Sequence, residues 1–170
     1  MTIRDIRLFG DPVLITKADE VTEFDSSLAN LVDDMMETMA HHNGVGLAAN
    51  QVGVTRRVFV FDCSDDDGEP LSGHVVNPVW EPLSEETVTD AEGCLSIPGV
   101  RKDTERFAHV RVTGQDVTGK PIEIVADGLL ARCIQHETDH LDGVLFLKRL
   151  EPKLRKEAMG EIRKSDWFQR

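Results

Sequence analysis

The feature that most constrains this chain is the run Gln135-His136-Glu137-Thr138-Asp139-His140, because a His-Glu-x-x-His pattern acquires its meaning only on a helix. A helix stacks residues i and i+4 on one face, which brings two imidazoles near enough to hold one divalent cation. Glu137 follows His136 directly, so its carboxylate is turned about 100° around the axis. That is too far round for the natural third ligand, but it suits a general base holding a water beside the cation. Asp127 is the expected N-cap of this helix and Gly143 its stop. On a helical wheel Leu130, Ile134 and Leu141 share one stripe, while Leu129, Cys133, His136 and His140 share another. Two apolar faces predict a buried helix, one face packed into the core and the other lining a pocket that ends at the cation. Leu129 and Cys133 are candidate pocket walls, set against the plainer reading of both as core residues.

The rest of the chain bounds what surrounds that helix. Its 170 residues read as one domain with no linker or repeat, a catalytic body over residues 1–150 and a basic helical extension over 151–170. The opening Met1-Thr2-Ile3-Arg4-Asp5-Ile6-Arg7 lacks the apolar run of a secretory signal, and no stretch reaches membrane-spanning length. A cytoplasmic protein with no membrane association is expected. Three cysteines, Cys63, Cys94 and Cys133, make a disulfide framework an unsuitable reading and leave ligand or core roles. The net charge of −12 argues against general nucleic-acid binding, DNA included, yet it is unevenly spread. From Lys148 to Arg170 there are eight Lys and Arg against four Asp and Glu, a balance of +4 that leaves −16 for the remainder. A solvated terminal helix and a contact with a phosphate backbone both fit that basic tail.

Elsewhere the periodicities are mixed. Leu28, Leu31, Val32, Met35, Met36 and Met39 lie at helical spacing after Asp25, and the methionine stripe reads as core. Residues 58–61, 74–77, 86–89, 109–113 and 121–125 read as strands, the last two joined by a turn over Val117-Thr118-Gly119-Lys120. These features predict an α+β fold of short antiparallel strands packed around a central metal-binding helix, with an N-terminal helix and a C-terminal helix. Asp65-Asp66-Asp67-Gly68 reads as a polar hairpin turn, since a calcium loop in that register would begin at Cys63 and end at His74. His41 and His42 fall at a helix C-terminus and read as structural; His74 and His109 are expected to face solvent from strands.

Two imidazoles do not complete a catalytic site, which ordinarily takes three protein ligands. Cys133 shares the histidine face but lies seven residues from His140, a rise of about 10 Å. Cys63 stands at a strand end beside an acidic turn, a weaker candidate. Cys94 sits in Glu92-Gly93-Cys94-Leu95-Ser96-Ile97-Pro98-Gly99, where glycine and proline let the backbone approach a ligand, and is the best third ligand. The loop Gly44-Val45-Gly46-Leu47-Ala48-Ala49-Asn50-Gln51 lacks the ending of a phosphate loop and by itself reads as packing. Its Gln51 supplies a neutral amide that could stabilise an oxyanion.

Taken together, these three segments resemble, in order and separation, the signature motifs of the peptide deformylase family, and the similarity covers nearly the whole chain from Gly10-Asp11-Pro12-Val13-Leu14 onward. The resemblance implies an enzyme that removes the N-formyl group from the initiator methionine of nascent polypeptides and releases formate. It implies Cys94, His136 and His140 as metal ligands, Glu137 as general acid and base, and Gln51 with the backbone N–H of Leu95 as oxyanion donors. Fe(II) is the metal it implies, with nickel, cobalt or zinc tolerated; spacing alone suggests zinc. Val45, Leu129 and Cys133 would form the methionine pocket, Val45, Gly46 and Gly93 would meet the substrate backbone, and Arg101 would contact the peptide further along. Arg132 departs from the aliphatic residue many members carry at the pocket mouth, and its stem is expected to cover the rim with the guanidinium in water. In related bacterial enzymes a C-terminal helix docks on the ribosome, so Lys148, Arg149, Lys153, Arg155, Lys156, Arg163 and Lys164 become candidates for that contact in a monomeric protein. Two rival readings remain open on the residues alone, a metallopeptidase and an inert metal module; neither a third His downstream of His140 nor a fourth ligand is present to favour them.

Overall fold

A computed structural model of the chain describes residues 2–63 and 71–168. The acidic turn predicted at Asp65–Gly68 lies outside the described residues. The fold is α+β. A five-stranded antiparallel sheet runs in the order β1-β2-β3-β6-β7, built from Gly46–Ala48, Val58–Asp62, Ser72–Pro82, His109–Gln115 and Pro121–Asp127, and a separate hairpin pairs β4 (Thr87–Cys94) with β5 (Ile97–Phe107). Three α-helices complete it: α1 (Ser26–His41), α2 (Gly128–Leu141) and α3 (Pro152–Lys164).

The alternation of strand side chains explains the layering. Along β2, Phe59 and Phe61 face α2 and pack with Leu130, Ile134 and Leu141, while Val58 and Val60 face α1 and pack with Leu28, Leu31, Met35 and Met39. This strand is therefore buried on both faces, and its continuous apolar run follows from that position. The Asp25 side chain accepts from the Leu28 backbone N–H and starts α1 as expected. Asp127 occupies the N-cap position of α2 without making a capping bond; the entry is turned instead by Gly128 at φ +56°. At the other end Arg57 donates to the Leu141 carbonyl at 2.9 Å, satisfying that terminal acceptor of α2, and pairs with the Asp142 carboxylate at 2.8 Å.

The third core lies under the hairpin. Ile97 and Val100 of β5 pack with Phe146, Leu147, Leu150, Ala158 and Ile162, with Cys94 and Phe9 at the margin. Thus α3 presses its apolar side against the back of the strand pair that carries Cys94. Helix α3 runs through Gly160 without interruption, because the packed Ala158 and Ile162 flank it. Two elements went unread in the sequence, β1 and β5. His74 is also a correction: it is half-buried and accepts from the Val117 backbone N–H at 3.1 Å, and burial lowers its pKa. His109 does face solvent in part and pairs with Glu86 at 3.0 Å.

Candidate active site

Helix α2 carries three functional stripes. Leu130, Ile134 and Leu141 fill the core; Leu129, Cys133 and His136 line a cavity of about 620 Å³. Arg132, Gln135 and Asp139, at spacings of three and four, form a polar stripe that the sequence reading did not separate from the rest. Twelve of the fourteen residues of α2 are buried, so every polar side chain on it needs a partner.

The cation-binding geometry is assembled from two elements. His136 and His140 come from α2, and Cys94 comes from the end of β4, where a register shift between Gly93↔Arg101 and Cys94↔Ile97 re-aims the strand. The Cys94 Sγ lies 3.3 Å from the His140 Nε2, and the two Nε2 atoms are 3.1 Å apart. Tetrahedral ligands at ordinary metal–nitrogen and metal–sulfur distances would stand about 3.3–3.6 Å from one another. The donor set, one sulfur and two imidazole nitrogens within 4.8 Å of one another, therefore fits a divalent cation after a shift of a few tenths of an ångström. Cys63 is not among them; it packs beside Cys133, and both thiols face the Val45 carbonyl at 3.5 Å. The Cys133 thiol is pushed well up by its contact with Cys63 and by burial.

Glu92 organises the far side of the ring. Its Oε2 lies 2.6 Å from the His136 Nδ1, which turns Nε2 toward the other two donors. Arg106 grips the same carboxylate at both oxygens, at 3.0 and 2.6 Å, and reaches Asp139 at 2.8 Å, while Arg149 closes on Asp139 at 2.8 and 3.0 Å. Burial works against the charge on Glu92, yet His136 and Arg106 hold its carboxyl well below the usual range. Glu137 has no such company. It is 4% exposed, its Oε1 has no partner, and burial pushes its pKa up to about 7 despite the opposing pull of His136. Burial also opposes a charge on both imidazoles; Glu137, Cys94 and Glu92 overcome it at His136, whereas at His140 burial and the neighbouring His136 both push the pKa well down.

Gln51 lies in the 3-10 turn Ala49–Val52. The Ala48 backbone N–H donates to its Oε1 at 3.0 Å, so the amide nitrogen is aimed at Ser96 Oγ, 3.0 Å away, and Cys94 Sγ, 3.6 Å away. Backbone bonds from Arg7 to the Gln51 carbonyl and from Phe9 to the Ser96 carbonyl lash the N-terminal segment across both loops. Ser96 and Phe9 were not singled out from the sequence, since only the folded chain brings them to Gln51.

The remaining predicted residues distribute unevenly. Val45, Gly46, Gly93, Arg101, Leu129, Cys133 and Leu95 all line the cavity, and so does His42 at its mouth. A Cβ placed on Gly46 would stand 2.5 Å from Glu137 Oε2 and 2.6 Å from Cys133 Sγ, so this strand passes within a methyl group of the chemistry. Arg132 also lines the cavity, as expected, but its guanidinium corrects the sequence reading. Its guanidinium is buried rather than in water, donating to Glu92 Oε1 at 3.1 Å, to the Thr104 carbonyl at 2.7 Å and to the Val88 carbonyl at 2.9 Å. The β4–β5 hairpin covers this face of the helix and takes the guanidinium out of water.

Comparison with known proteins agrees with this geometry. The family model for polypeptide deformylase matches residues 3–156. Peptide deformylase 1 of Corynebacterium efficiens is 69% identical over 99% of both chains. Among solved structures, a plant peptide deformylase superposes with a TM-score of 0.90 at 36% identity, covering 96% of this chain and 89% of that one. The Ehrlichia chaffeensis peptide deformylase in complex with actinonin gives 0.89 at 38% identity, covering 98% and 99%. The chain belongs to the polypeptide deformylase family, metal-dependent hydrolases that deformylate nascent polypeptides.

Proposed function

We propose that Cys94, His136 and His140 hold the metal, that Glu137 carries the proton, and that Gln51 with the Leu95 backbone N–H receives the developing oxyanion as the formyl group leaves an N-terminal formylmethionine. The observation that carries this reading is the meeting of one sulfur and two imidazole nitrogens beside a buried carboxylate. When bound, a divalent cation polarises the formyl carbonyl and makes water acidic enough to attack near neutral pH. Glu137, buried beside the three donors, takes the proton from water and returns it to the leaving amine, one group serving first as base and then as acid. Gln51 cannot turn away, because Ala48 holds its carbonyl; a well-aimed donor of this kind contributes on the order of 3 kcal/mol.

The methionine side chain would sit against Val45, Leu129 and Cys133, with Gly46 and Gly93 admitting the substrate backbone and Arg101 meeting the next residues of the peptide. Fe(II) is the metal of the working enzyme in this reading, with nickel, cobalt or zinc able to replace it, and the protein acts as a cytoplasmic monomer. No helix among the described residues is long and apolar enough to cross a membrane.

Helix α3 is the proposed ribosome contact. Its Glu157 and Glu161 turn toward Lys102, at 3.8 and 2.5 Å, while Lys153, Arg155, Lys156 and Arg163 are exposed. The outward side is thus more basic than the composition suggests. Lys148 and Lys164 remain in the candidate set, but Arg149 is committed to Asp139 and leaves it. Ribosome co-sedimentation that declines steeply with salt is expected; binding that survives loss of residues after Leu150 refutes it.

The activity test is formate release from a formyl-Met-Ala-Ser peptide by protein purified anaerobically with Fe(II), beside Glu137→Ala. Rapid release that disappears in the variant is expected. Absence of release from iron-loaded protein overturns the assignment.

A further inference from the structure

The metal donors reach one another only because the β4–β5 hairpin, which brings Cys94, is held in a fixed place on α2, which brings both histidines. That seam is fastened at three points along the polar stripe of α2. Gln135 exchanges two hydrogen bonds with the Phe107 backbone, both 2.9 Å, in the manner of an added strand. Asp139 takes Arg106 at 2.8 Å. Arg132, one turn before His136, is the third.

We propose that Arg132 is a positioning residue of the metal site, setting the place of Cys94 relative to His136 and His140 through Glu92 and the two hairpin strands. This inference rests on the metal-site reading given above. A single planar guanidinium contacts both strands, at Val88 of β4 and Thr104 of β5, and also the carboxylate that orients His136. A carboxylate offers about four acceptor directions. On Glu92, Arg106 takes one at each oxygen, His136 takes the second at Oε2 and Arg132 the second at Oε1. Removing Arg132 frees one direction only, and Glu92 can then tilt about its paired contact with Arg106, carrying the His136 ring with it. Packing alone does not account for the residue. An aliphatic side chain would fill the space without burying a charge, but it would leave two hairpin carbonyls and one carboxylate oxygen without this donor. Lysine cannot replace it fully, since one ammonium does not reproduce the planar fork that meets three acceptors.

The test is Co(II) binding by chelator competition, with the thiolate-to-cobalt absorption recorded, for the wild type, Arg132→Leu and Arg132→Lys. Outer partners that touch a metal ligand are worth about 10–100-fold in affinity, and Arg132, acting on His136 through Glu92, belongs at the lower end of that range. Arg132→Leu is expected to lose affinity in that range and to shift the absorption; Arg132→Lys should fall between it and the wild type. Formate release should show the loss in kcat, with KM and the preference for the residue after methionine unchanged. If both variants bind Co(II) with wild-type affinity and spectrum while only melting lower, the contact is structural and the proposal fails. If Arg132→Leu does not fold, wild-type affinity and spectrum in Arg132→Lys overturn it equally. A wild type without thiolate absorption, or a Cys94→Ser variant that binds Co(II) as well as the wild type does, would instead overturn the ligand assignment beneath it.

Discussion

Replacing Glu137 by glutamine should make the metal-free protein more stable, and by an amount that grows with pH. The carboxyl is raised from 4.5 to about 7, chiefly by burial. A raised carboxyl keeps its proton in the folded state after the unfolded chain has released it, so between these two values folding binds protons and stability falls as pH rises. Below 4.5 the effect vanishes, and above 7 it is complete. An interval of 2.5 units at about 1.4 kcal/mol per unit corresponds to about 3 kcal/mol, an upper limit because water entering the cavity screens the charge. Glutamine has nearly the same shape and no proton to lose, so it escapes the whole effect. Urea unfolding of the chelator-stripped wild type and Glu137→Gln at pH 5, 6, 7 and 8 measures the difference directly. The gap should be small at pH 5 and widen to 2–3 kcal/mol at pH 8, on the order set by the linkage relation. Loading the metal should close it, since a nearby cation favours the ionised carboxylate. A gap that stays constant with pH would refute the reasoning, because it would mean that Glu137 ionises in the folded protein as readily as in the unfolded one.

Other perturbations follow from the same contacts. Gly46→Ala brings a methyl group to 2.5 Å from Glu137 Oε2; displacing it should cost at least about tenfold in kcat/KM and about 1–3 kcal/mol in stability, read by formate release and thermal melting. Arg106→Leu leaves Glu92 and Asp139 short of a buried counter-charge and should destabilise the protein by about 3–5 kcal/mol, measurable by urea unfolding. Ser96→Ala frees one hydrogen of the Gln51 amide. It should lower kcat several-fold with little change in KM, whereas an unchanged kcat would show that Ala48 alone orients the amide.

What was legible in the sequence follows from how local each signal is. The cap at Asp25, the spacing of Leu28 to Met39 and the two apolar stripes of α2 are properties of neighbouring residues, and they identified α1 and α2 before any contact was known. β1 is three residues of small side chains, and β5 breaks its own alternation: the buried positions Thr104 and Arg106 follow Ile97 and Val100. A strand whose inward face carries an arginine has no apolar period to read, and its reason for existing lies on another element. The His-Glu-x-x-His spacing likewise pointed to His136, Glu137 and His140 as candidates, since that pattern is written at short separations, whereas Cys94 stood out only by its glycine and proline neighbours.

The support beneath the site was hidden for the opposite reason. Glu92 meets His136 across 44 positions, Arg106 meets Asp139 across 33 and Arg132 meets Thr104 across 28. A usable signal was nonetheless present. Once α2 is inferred to be buried on two faces, Arg132, Gln135 and Asp139 at helical spacing cannot all be solvated, and each requires a partner on whatever covers the third face. That requirement predicts a polar seam and therefore an extra layer over the helix, which the β4–β5 hairpin supplies. The reading of the Arg132 guanidinium as solvated failed because it treated that one residue apart from the stripe it belongs to.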